Sequence, residues 1–209
     1  MSECQLYLIT PEVFELEHFS EALTAALKPG NVACVQLRQK LLPKETIVRS
    51  IEVLKPLVHK KNIPFILNDD AQLAAETDCD GVHIGQEDIS FENARKILGE
   101  KSIIGVTCLD SYHLAMEASE KGADYVAFGA FYPSATKKSK GQPTTEILQK
   151  WSSNTTIPCV AIGGITPLNC IPLVSAGADF LSVVSSIWEH PEGPEIAVTE
   201  FNNAITNVK

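Results

Sequence analysis

Length, composition and charge narrow the kind of protein that this chain can be. Its 209 residues suit one domain spanning residues 1–209, because single domains usually hold roughly 100–200 residues. With 17 Lys and Arg against 26 Asp and Glu, the formal net charge is −9, which disfavours nucleic acid and anionic membranes as partners. No apolar run approaches the roughly 18 residues that span a bilayer, and the N-terminus lacks a secretory signal. We expect a cytoplasmic protein, and the sequence leaves a homo-oligomer open.

Eight short β-branched runs, bounded by glycine or polar residues, follow one another along the chain. They are 6–10, 33–38, 64–68, 81–84, 102–107, 125–129, 157–163 and 180–184. Apolar residues with helical spacing lie between them, as at Val48, Ile51 and Leu54. Apolar strands linked by helices pair in parallel with both faces covered. Eight such units predict an α/β fold, a single (β/α)8 TIM barrel, with a doubly wound sheet as the alternative.

Polar residues at the strand ends favour the closed barrel over the open sheet. In a barrel the carboxyl ends of all strands converge on one mouth, where such enzymes place their active sites. Nearly every strand here runs into side chains or glycines capable of binding. The set is Gln36, Arg38, Asn68, Asp69, Gln86, Asp88, Thr107, Ser134, Thr136, Gly163, Gly164, Ser182 and Ser185.

Two kinds of reactive side chain are predicted to be structural. His83 lies between Val82 and Ile84 and precedes the mouth, so we expect it to be packed and hydrogen-bonded. The cysteines form no Cys-x-x-Cys pair and have no histidine at ligand spacing, which argues against zinc and disulfides. Four of the six lie among apolar or small neighbours, as buried reduced thiols do, and we expect structural rather than functional roles for Cys4, Cys34, Cys79, Cys108, Cys159 and Cys170.

The second strand ends in a polar stripe. Gln36, Arg38 and Lys40 alternate with apolar residues, so a period of two would point an amide and two cations to one side. Because the planar guanidinium of arginine matches phosphate oxygens, the stripe predicts a diphosphate site. A solvated strand end with surface charge is the alternative.

Acidic residues follow two neighbouring strands. Asp70 is a good N-cap candidate for the next helix, which leaves Asp69 without that explanation. Asp88 lies beyond the following strand, so both carboxylates would reach the mouth. Mg2+ prefers one or two carboxylates together with waters and substrate phosphate oxygens. We expect Asp69 and Asp88 to hold Mg2+, the alternative being helix capping alone.

The loops after the last three strands have the character of phosphate sites. Ser134, Thr136 and Lys137 place two hydroxyls and a cation in the loop after strand six, which suits a departing diphosphate, although a solvated basic loop is equally compatible. Gly163 and Gly164 end strand seven and would let backbone N–H groups approach a phosphate closely. The loops after strands seven and eight are the recurring phosphate site of TIM barrels.

Taken in order, these motifs resemble the thiamine phosphate synthase family over about residues 6–188. The most specific parts are Gln-x-Arg-x-Lys at 36–40, Asn-Asp-Asp at 68–70, Gly-Gln-Glu-Asp at 85–88, Pro-x-x-Thr-Lys at 133–137 and Gly-Gly-Ile at 163–165. The resemblance implies a transferase of thiamine biosynthesis. Such an enzyme joins hydroxymethylpyrimidine diphosphate to a thiazole phosphate and releases diphosphate with the help of Mg2+.

The resemblance also implies a role for each matching position. The catalytic residues would be Arg38, Lys40 and Lys137, which stabilise the departing diphosphate, and the Mg2+ ligands would be Asp69 and Asp88. The substrate-binding residues would be Gln36, Arg38, Lys40, Asn68, Thr107, Ser134, Thr136, Lys137, Gly164, Val184 and Ser185. Of these, Gly164, Val184 and Ser185 would meet the thiazole phosphate. Thr107 stands where the family commonly has serine, and it preserves the hydroxyl.

Other functions on the same fold remain as alternatives. A related branch acts as a thiazole tautomerase and uses a histidine after strand five. Here residues 107–110 contain none, and His113 is the first histidine beyond the strand, whereas the metal acids and the basic strand are intact. A non-catalytic thiazole phosphate-binding relative and a different phosphate-binding barrel, such as a sugar phosphate isomerase, complete the set.

Overall fold

The computed structural model describes residues 4–133 and 141–207. Eight parallel strands close into a barrel in chain order, with the last strand paired to the first. The strands are β1 Gln5–Ile9, β2 Val32–Leu37, β3 Phe65–Asn68, β4 Gly81–Ile84, β5 Ile103–Leu109, β6 Tyr125–Gly129, β7 Cys159–Ile162 and β8 Phe180–Val183. The closed barrel confirms the predicted (β/α)8 TIM fold and excludes the doubly wound sheet. The expected strand ends agree with these to within two residues.

Helices follow the strands around the outside of the barrel. They are α1 Leu16–Ala26, α2 Lys44–His59, α3 Ala71–Glu76, α4 Phe91–Leu98, α5 Tyr112–Glu120, α6 Thr145–Asn154, α7 Ile171–Ser175, α8 Ser185–Trp188 and α9 Pro194–Thr206. Side-chain caps begin four of them. Glu15, Asp70, Ser90 and Ser111 accept hydrogen bonds from backbone N–H groups in the first turns of α1, α3, α4 and α5. The predicted capping role of Asp70 is confirmed.

Two apolar layers hold the barrel together. The outer layer packs the outward strand residues, such as Leu8 and Leu37, against the helices. Each fully buried leucine or phenylalanine in it contributes about 1.5–3 kcal/mol. The inner layer fills the barrel and is smaller, with Tyr7, Ile66 and Tyr125 among its members. Alternation along each strand therefore divides the sequence between a purely apolar outer core and an inner core that carries polar groups.

The cysteines and the lengths of the helices bear on the remaining expectations. All six cysteines are buried free thiols, two more than the four expected, and burial raises the pKa of Cys4, Cys108 and Cys159 to about 12. Within the described ranges, no helix has the length and apolar character needed to cross a membrane. The cytoplasmic location and the single domain over 1–209 stay predictions.

Candidate active site

Three charged side chains meet where β2, β3 and β4 end. The Nζ atom of Lys40 lies 2.5 Å from Oδ2 of Asp69 and 3.6 Å from Oδ1 of Asp88. Asp69 comes directly after β3, Asp88 follows β4 by four residues, and Lys40 follows β2 by three. The carboxyl ends of adjacent parallel strands thus bring together the two acids that the sequence predicts as neighbours.

The backbone fixes both acids in place. Asp69 has a φ of 65°, a left-handed conformation that is costly for most residues but tolerated by aspartate. Its N–H group donates to the carbonyl oxygen of His83 at 2.8 Å, which ties the turn after β3 to β4. Oδ2 of Asp88 accepts from the N–H group of Gly85 at 2.8 Å. Because Asp70 caps α3, the carboxylate of Asp69 is left for the mouth.

The two carboxylates influence each other's ionisation. Partial burial raises the pKa of Asp69, and the neighbouring Asp88 carboxylate adds to this against the attraction of Lys40. Burial also opposes ionisation of Asp88, but hydrogen bonding with Asp69, Gly85 and Lys40 outweighs it and lowers the pKa of Asp88. The hydrogen bond to Asp69 raises the pKa of Lys40. The pair therefore forms a concentrated negative site that favours a cation.

Arg38 and Gln36 have partners other than those of Lys40. The alternation of side chains along β2 ends with the strand at Leu37, before Arg38 and Lys40. The guanidinium of Arg38 forms a salt bridge of 2.5 Å with Glu12, whose other oxygen accepts from the N–H group of Leu41. Gln36 is enclosed in the barrel, with 1% of its surface exposed. The side chains predicted to stand in one row are thus divided between the rim and the interior.

Hydrogen bonds inside the barrel connect Gln36 to β1 and β3. The Tyr7 hydroxyl donates to Oε1 of Gln36 at 2.6 Å, and Nε2 of Gln36 donates to Oδ1 of Asn68 at 2.6 Å. Tyr7 and Tyr125 join their hydroxyl oxygens at 2.8 Å. Burial raises the pKa of both tyrosines well above the usual range, so both hydroxyls keep their protons.

His83 continues this set of contacts towards β5. Its Nδ1 atom lies 3.0 Å from the hydroxyl oxygen of Tyr125, and its Nε2 atom lies 2.7 Å from Oγ1 of Thr107. Burial lowers the pKa of His83 to about 4, so the ring is neutral at physiological pH. The predicted packed and hydrogen-bonded histidine is confirmed. Gly105 makes room for the arrangement, because a Cβ atom there would lie 1.9 Å from the ring of Tyr125.

Three residues of this region were missed by the sequence reasoning. Tyr7 and Tyr125 occupy apolar strands and look like ordinary core aromatics, although both alternate with outward-facing residues and so point inward. Glu12 lies in the loop after β1, and no local pattern pairs it with Arg38. Only the tyrosine positions carried a signal that strand alternation could have revealed.

The glycines after β7 are required by local packing, and their predicted phosphate role stays a prediction. Gly163 and Gly164 have φ values of 107° and 61°. A Cβ atom at Gly164 would lie 2.4 Å from the carbonyl oxygen of Pro133, and one at Gly163 would lie 2.4 Å from Cβ of Ala130. Asn169 holds the loop by donating to the carbonyl oxygen of Gly164 at 2.9 Å. Close packing against the segment after β6 already requires glycine here, without any phosphate.

The remaining predicted residues lie in three places. Thr107 lies near the carboxyl end of β5, Val184 follows β8, and Ser185 begins α8. His113 lies on α5 with 81% of its side chain exposed and pairs with Glu117, so it does not face the mouth. Ser134, Thr136, Lys137 and Lys138 lie outside the described residues.

The fold and the mouth together define a class of protein. This is a (β/α)8-barrel enzyme whose acidic pair, lysine and arginine are gathered at the carboxyl ends of β2 to β4. The family model described as thiamine monophosphate synthase matches residues 6–187. The chain belongs to that family, and the predicted family and transferase class are confirmed.

Individual relatives agree with this assignment over nearly the full length. The thiamine-phosphate synthase of Rhodospirillum centenum is 54% identical over 205 residues, covering 98% of this chain and 99% of the relative. That of Hyphomonas neptunium is 43% identical over 203 residues, covering 95% and 92%. The solved structure of thiamine phosphate pyrophosphorylase from Pyrococcus furiosus is 31% identical, covers 98% of this chain and 96% of its own, and has a TM-score of 0.83.

Proposed function

We propose that this chain condenses hydroxymethylpyrimidine diphosphate with a thiazole phosphate to give thiamine phosphate and diphosphate. In this reaction the bond between the pyrimidine methylene carbon and the diphosphate oxygen breaks, and a bond from that carbon to the thiazole nitrogen forms. The observation that carries the proposal is the gathering of Lys40, Asp69 and Asp88 at the mouth of a barrel of this family. The near full-length relatives named thiamine-phosphate synthase support it.

The paired acids fit a Mg2+ ion. Asp69 and Asp88 offer hard oxygen ligands from adjacent strand ends, and partial burial together with the neighbouring Asp88 carboxylate raises the pKa of Asp69. In the described part of the chain, no group of three His, Cys, Asp or Glu residues suits a metal. Two carboxylates completed by water and phosphate oxygens match the preference of Mg2+. When bound, the ion would supply positive charge to the leaving diphosphate.

The cationic side chains of the rim would bind and neutralise the diphosphate. Arg38 has five N–H donors, and its contact with Glu12 holds the fork while leaving donors for phosphate oxygens. Lys40 has 49% of its side chain exposed, so its ammonium can move from the carboxylates to a phosphate. We assign Lys137, which follows β6 in the chain and lies outside the described residues, to the same group of charges. Departure of diphosphate needs charge neutralisation and positioning rather than a strong base.

A second set of groups would bind the thiazole phosphate. Gly164 follows β7, and Val184 and Ser185 follow β8. In the closed barrel these two strands lie opposite β3 and β4. Loops after these two strands are the common phosphate site of the fold. Two separate sites would hold the two substrates with the thiazole nitrogen near the methylene carbon.

Product formation tests this proposal. The purified protein would be incubated with both substrates and Mg2+, and thiamine phosphate would be detected by its oxidation to a fluorescent thiochrome. We expect product only when both substrates and Mg2+ are present, and none after chelation with EDTA. Binding of the thiazole phosphate without turnover would instead favour the non-catalytic relative. Turnover of a sugar phosphate without metal would favour an isomerase.

A further inference from the structure

A continuous series of side-chain hydrogen bonds crosses the barrel interior from β3 to β5. Its links measure between 2.6 and 3.0 Å. In order, the members are Asn68, Gln36, Tyr7, Tyr125, His83 and Thr107. Gln36, Tyr7 and Tyr125 are 1%, 3% and 6% exposed, so their polar atoms depend on one another rather than on bulk water.

The direction of one bond determines the direction of the next. Tyr7 has a single hydroxyl proton, which it donates to Oε1 of Gln36. The proton between the two tyrosines must therefore come from Tyr125, because Tyr7 has none left. Tyr125 in turn has no proton for His83, so it accepts one from Nδ1 of the imidazole.

The same count continues to both ends of the series. A neutral imidazole carries one N–H group, so Nε2 of His83 is bare and accepts the hydroxyl proton of Thr107. Thr107 then has only lone pairs left for any other partner. At the other end, Gln36 donates to Oδ1 of Asn68, which leaves the N–H groups of Asn68 for another partner.

We propose that His83 is a positioning residue, held as the Nδ1–H tautomer by this series, and that it fixes Thr107 as an acceptor and Asn68 as a donor towards the mouth. Strand register supports the geometry, because Asn68 pairs with His83, and His83 pairs with Gly105, two residues before Thr107. The two ends therefore flank His83 on adjacent strands. Turning over the amide of Gln36 would reverse every bond in the series, and this is the competing arrangement.

The identity of the ligand at Thr107 and Asn68, a pyrimidine, rests on the proposed function. An aminopyrimidine ring carries amino N–H donors beside ring nitrogen acceptors, which matches a hydroxyl acceptor at Thr107 and an amide donor at Asn68. An oxo-pyrimidine with a protonated ring nitrogen presents the opposite pattern. It would place an acceptor against the Thr107 acceptor and a donor against the Asn68 donor. A polar site that rejects an analogue in this way discriminates strongly, because its buried groups stay unpaired.

Nitrogen NMR of the protein without substrates tests the tautomer directly. The protein would carry 15N-labelled histidine, and the His83 signals would be assigned by their loss in His83→Gln, or by their selective shift in Thr107→Val if that variant does not fold. We expect a protonated Nδ1 and a bare, hydrogen-bonded Nε2. Free histidine prefers the opposite tautomer, so a protonated Nε2 or an averaged pair of signals would overturn the proposal.

Thr107 variants test what the tautomer does. Thr107→Val removes the hydroxyl at nearly constant shape. We therefore expect Nδ1 of His83 to stay protonated, Nε2 to lose its hydrogen bond, and the KM for the pyrimidine diphosphate to rise about 10–100-fold, the scale of one buried hydrogen bond. The KM for the thiazole phosphate should change less than about threefold, and Thr107→Ser should restore both readouts. A Thr107→Val protein with an unchanged Nε2 signal and an unchanged KM would refute the positioning role.

A control distinguishes this series from any buried hydroxyl. Ser182 lies on β8 inside the barrel, and its Oγ atom has no hydrogen-bond partner among the described residues. Ser182→Ala should therefore leave the His83 tautomer unchanged, and a change there would count against the proposed direction of the bonds. Because the NMR readout needs no substrate, it stays decisive even if the condensation assay fails, which separates this inference from the proposed function.

Discussion

Asp69 combines a left-handed backbone with a shared charge. Its φ of 65° is a conformation that aspartate tolerates, and its Oδ2 atom lies 2.5 Å from Nζ of Lys40. The adjacent Asp70, whose side chain caps α3, shows that an ordinary structural role was available one residue on. The contacts of Lys40 with Asp69 and Asp88, which gather both carboxylates at the mouth, therefore support the assignment of Asp69 to the metal.

Replacing Asp69 by asparagine should separate the metal site from the rest of the mouth. Asp69→Asn keeps the shape and the preference for a left-handed backbone but removes the charge. We expect the Mg2+ affinity to fall and kcat/KM to drop by about 100–1,000-fold in steady-state assays over a range of Mg2+ concentrations. Asp70→Asn is the matched control, because asparagine also caps helices and should change little. Full activity of Asp69→Asn at low Mg2+ would remove this residue from the metal site.

His83 gives the fold a dependence on pH. The folded protein keeps the ring neutral down to about pH 4, whereas the unfolded chain binds a proton near pH 6.5. Between these values the unfolded state carries more protons, so the free energy of unfolding should fall as the pH is lowered. Urea unfolding at pH 7 and pH 4.5 should show a contribution of up to about 3 kcal/mol that His83→Gln lacks. An equal pH slope in both proteins would contradict the neutral buried ring.

The barrel strands were predictable as elements because each is a short apolar run between polar ends. What the sequence could not supply was the inner face of the barrel. Gln36 meets Tyr7 and Asn68 only after the strands have closed and their register is set. The contact between Tyr7 and Tyr125 joins residues 118 positions apart. Local periodicity shows which residues share a face, but which faces meet depends on closure.

Gly164, in the loop after β7, was predicted from phosphate binding, but packing against Pro133 also requires a glycine there. Gly164→Ala should lower the melting temperature well beyond the effect of a positive φ, because the added carbon meets the backbone at Pro133. Gly30→Ala is the matched control, since Gly30 has a φ of 80° with nothing within 4 Å. We expect Gly30→Ala to cost about 1 kcal/mol and Gly164→Ala several times more, measured by thermal unfolding. Equal losses would mean that the loop can move away from the contact.

At the scale of the whole molecule, the closed barrel brings the two proposed substrate sites to one mouth. The carboxylates, Lys40 and Arg38 lie at the ends of β2 to β4, and the glycine loop and α8 lie at the ends of β7 and β8. The sequence predicted both groups because strand ends carry the polar residues in this fold. It did not predict that Glu12 holds Arg38 or that Lys40 bridges the acids, because both contacts are made between loops of different units.

The central prediction is that this mouth couples the release of diphosphate to the formation of thiamine phosphate. A 31P NMR time course with both substrates and Mg2+ follows each phosphorus species in one sample and counts products directly. We expect one thiamine phosphate for each diphosphate released, at a rate lowered in parallel for both products by Asp69→Asn. Diphosphate released without thiamine phosphate, or no consumption of either substrate by the wild-type protein, would contradict the assignment.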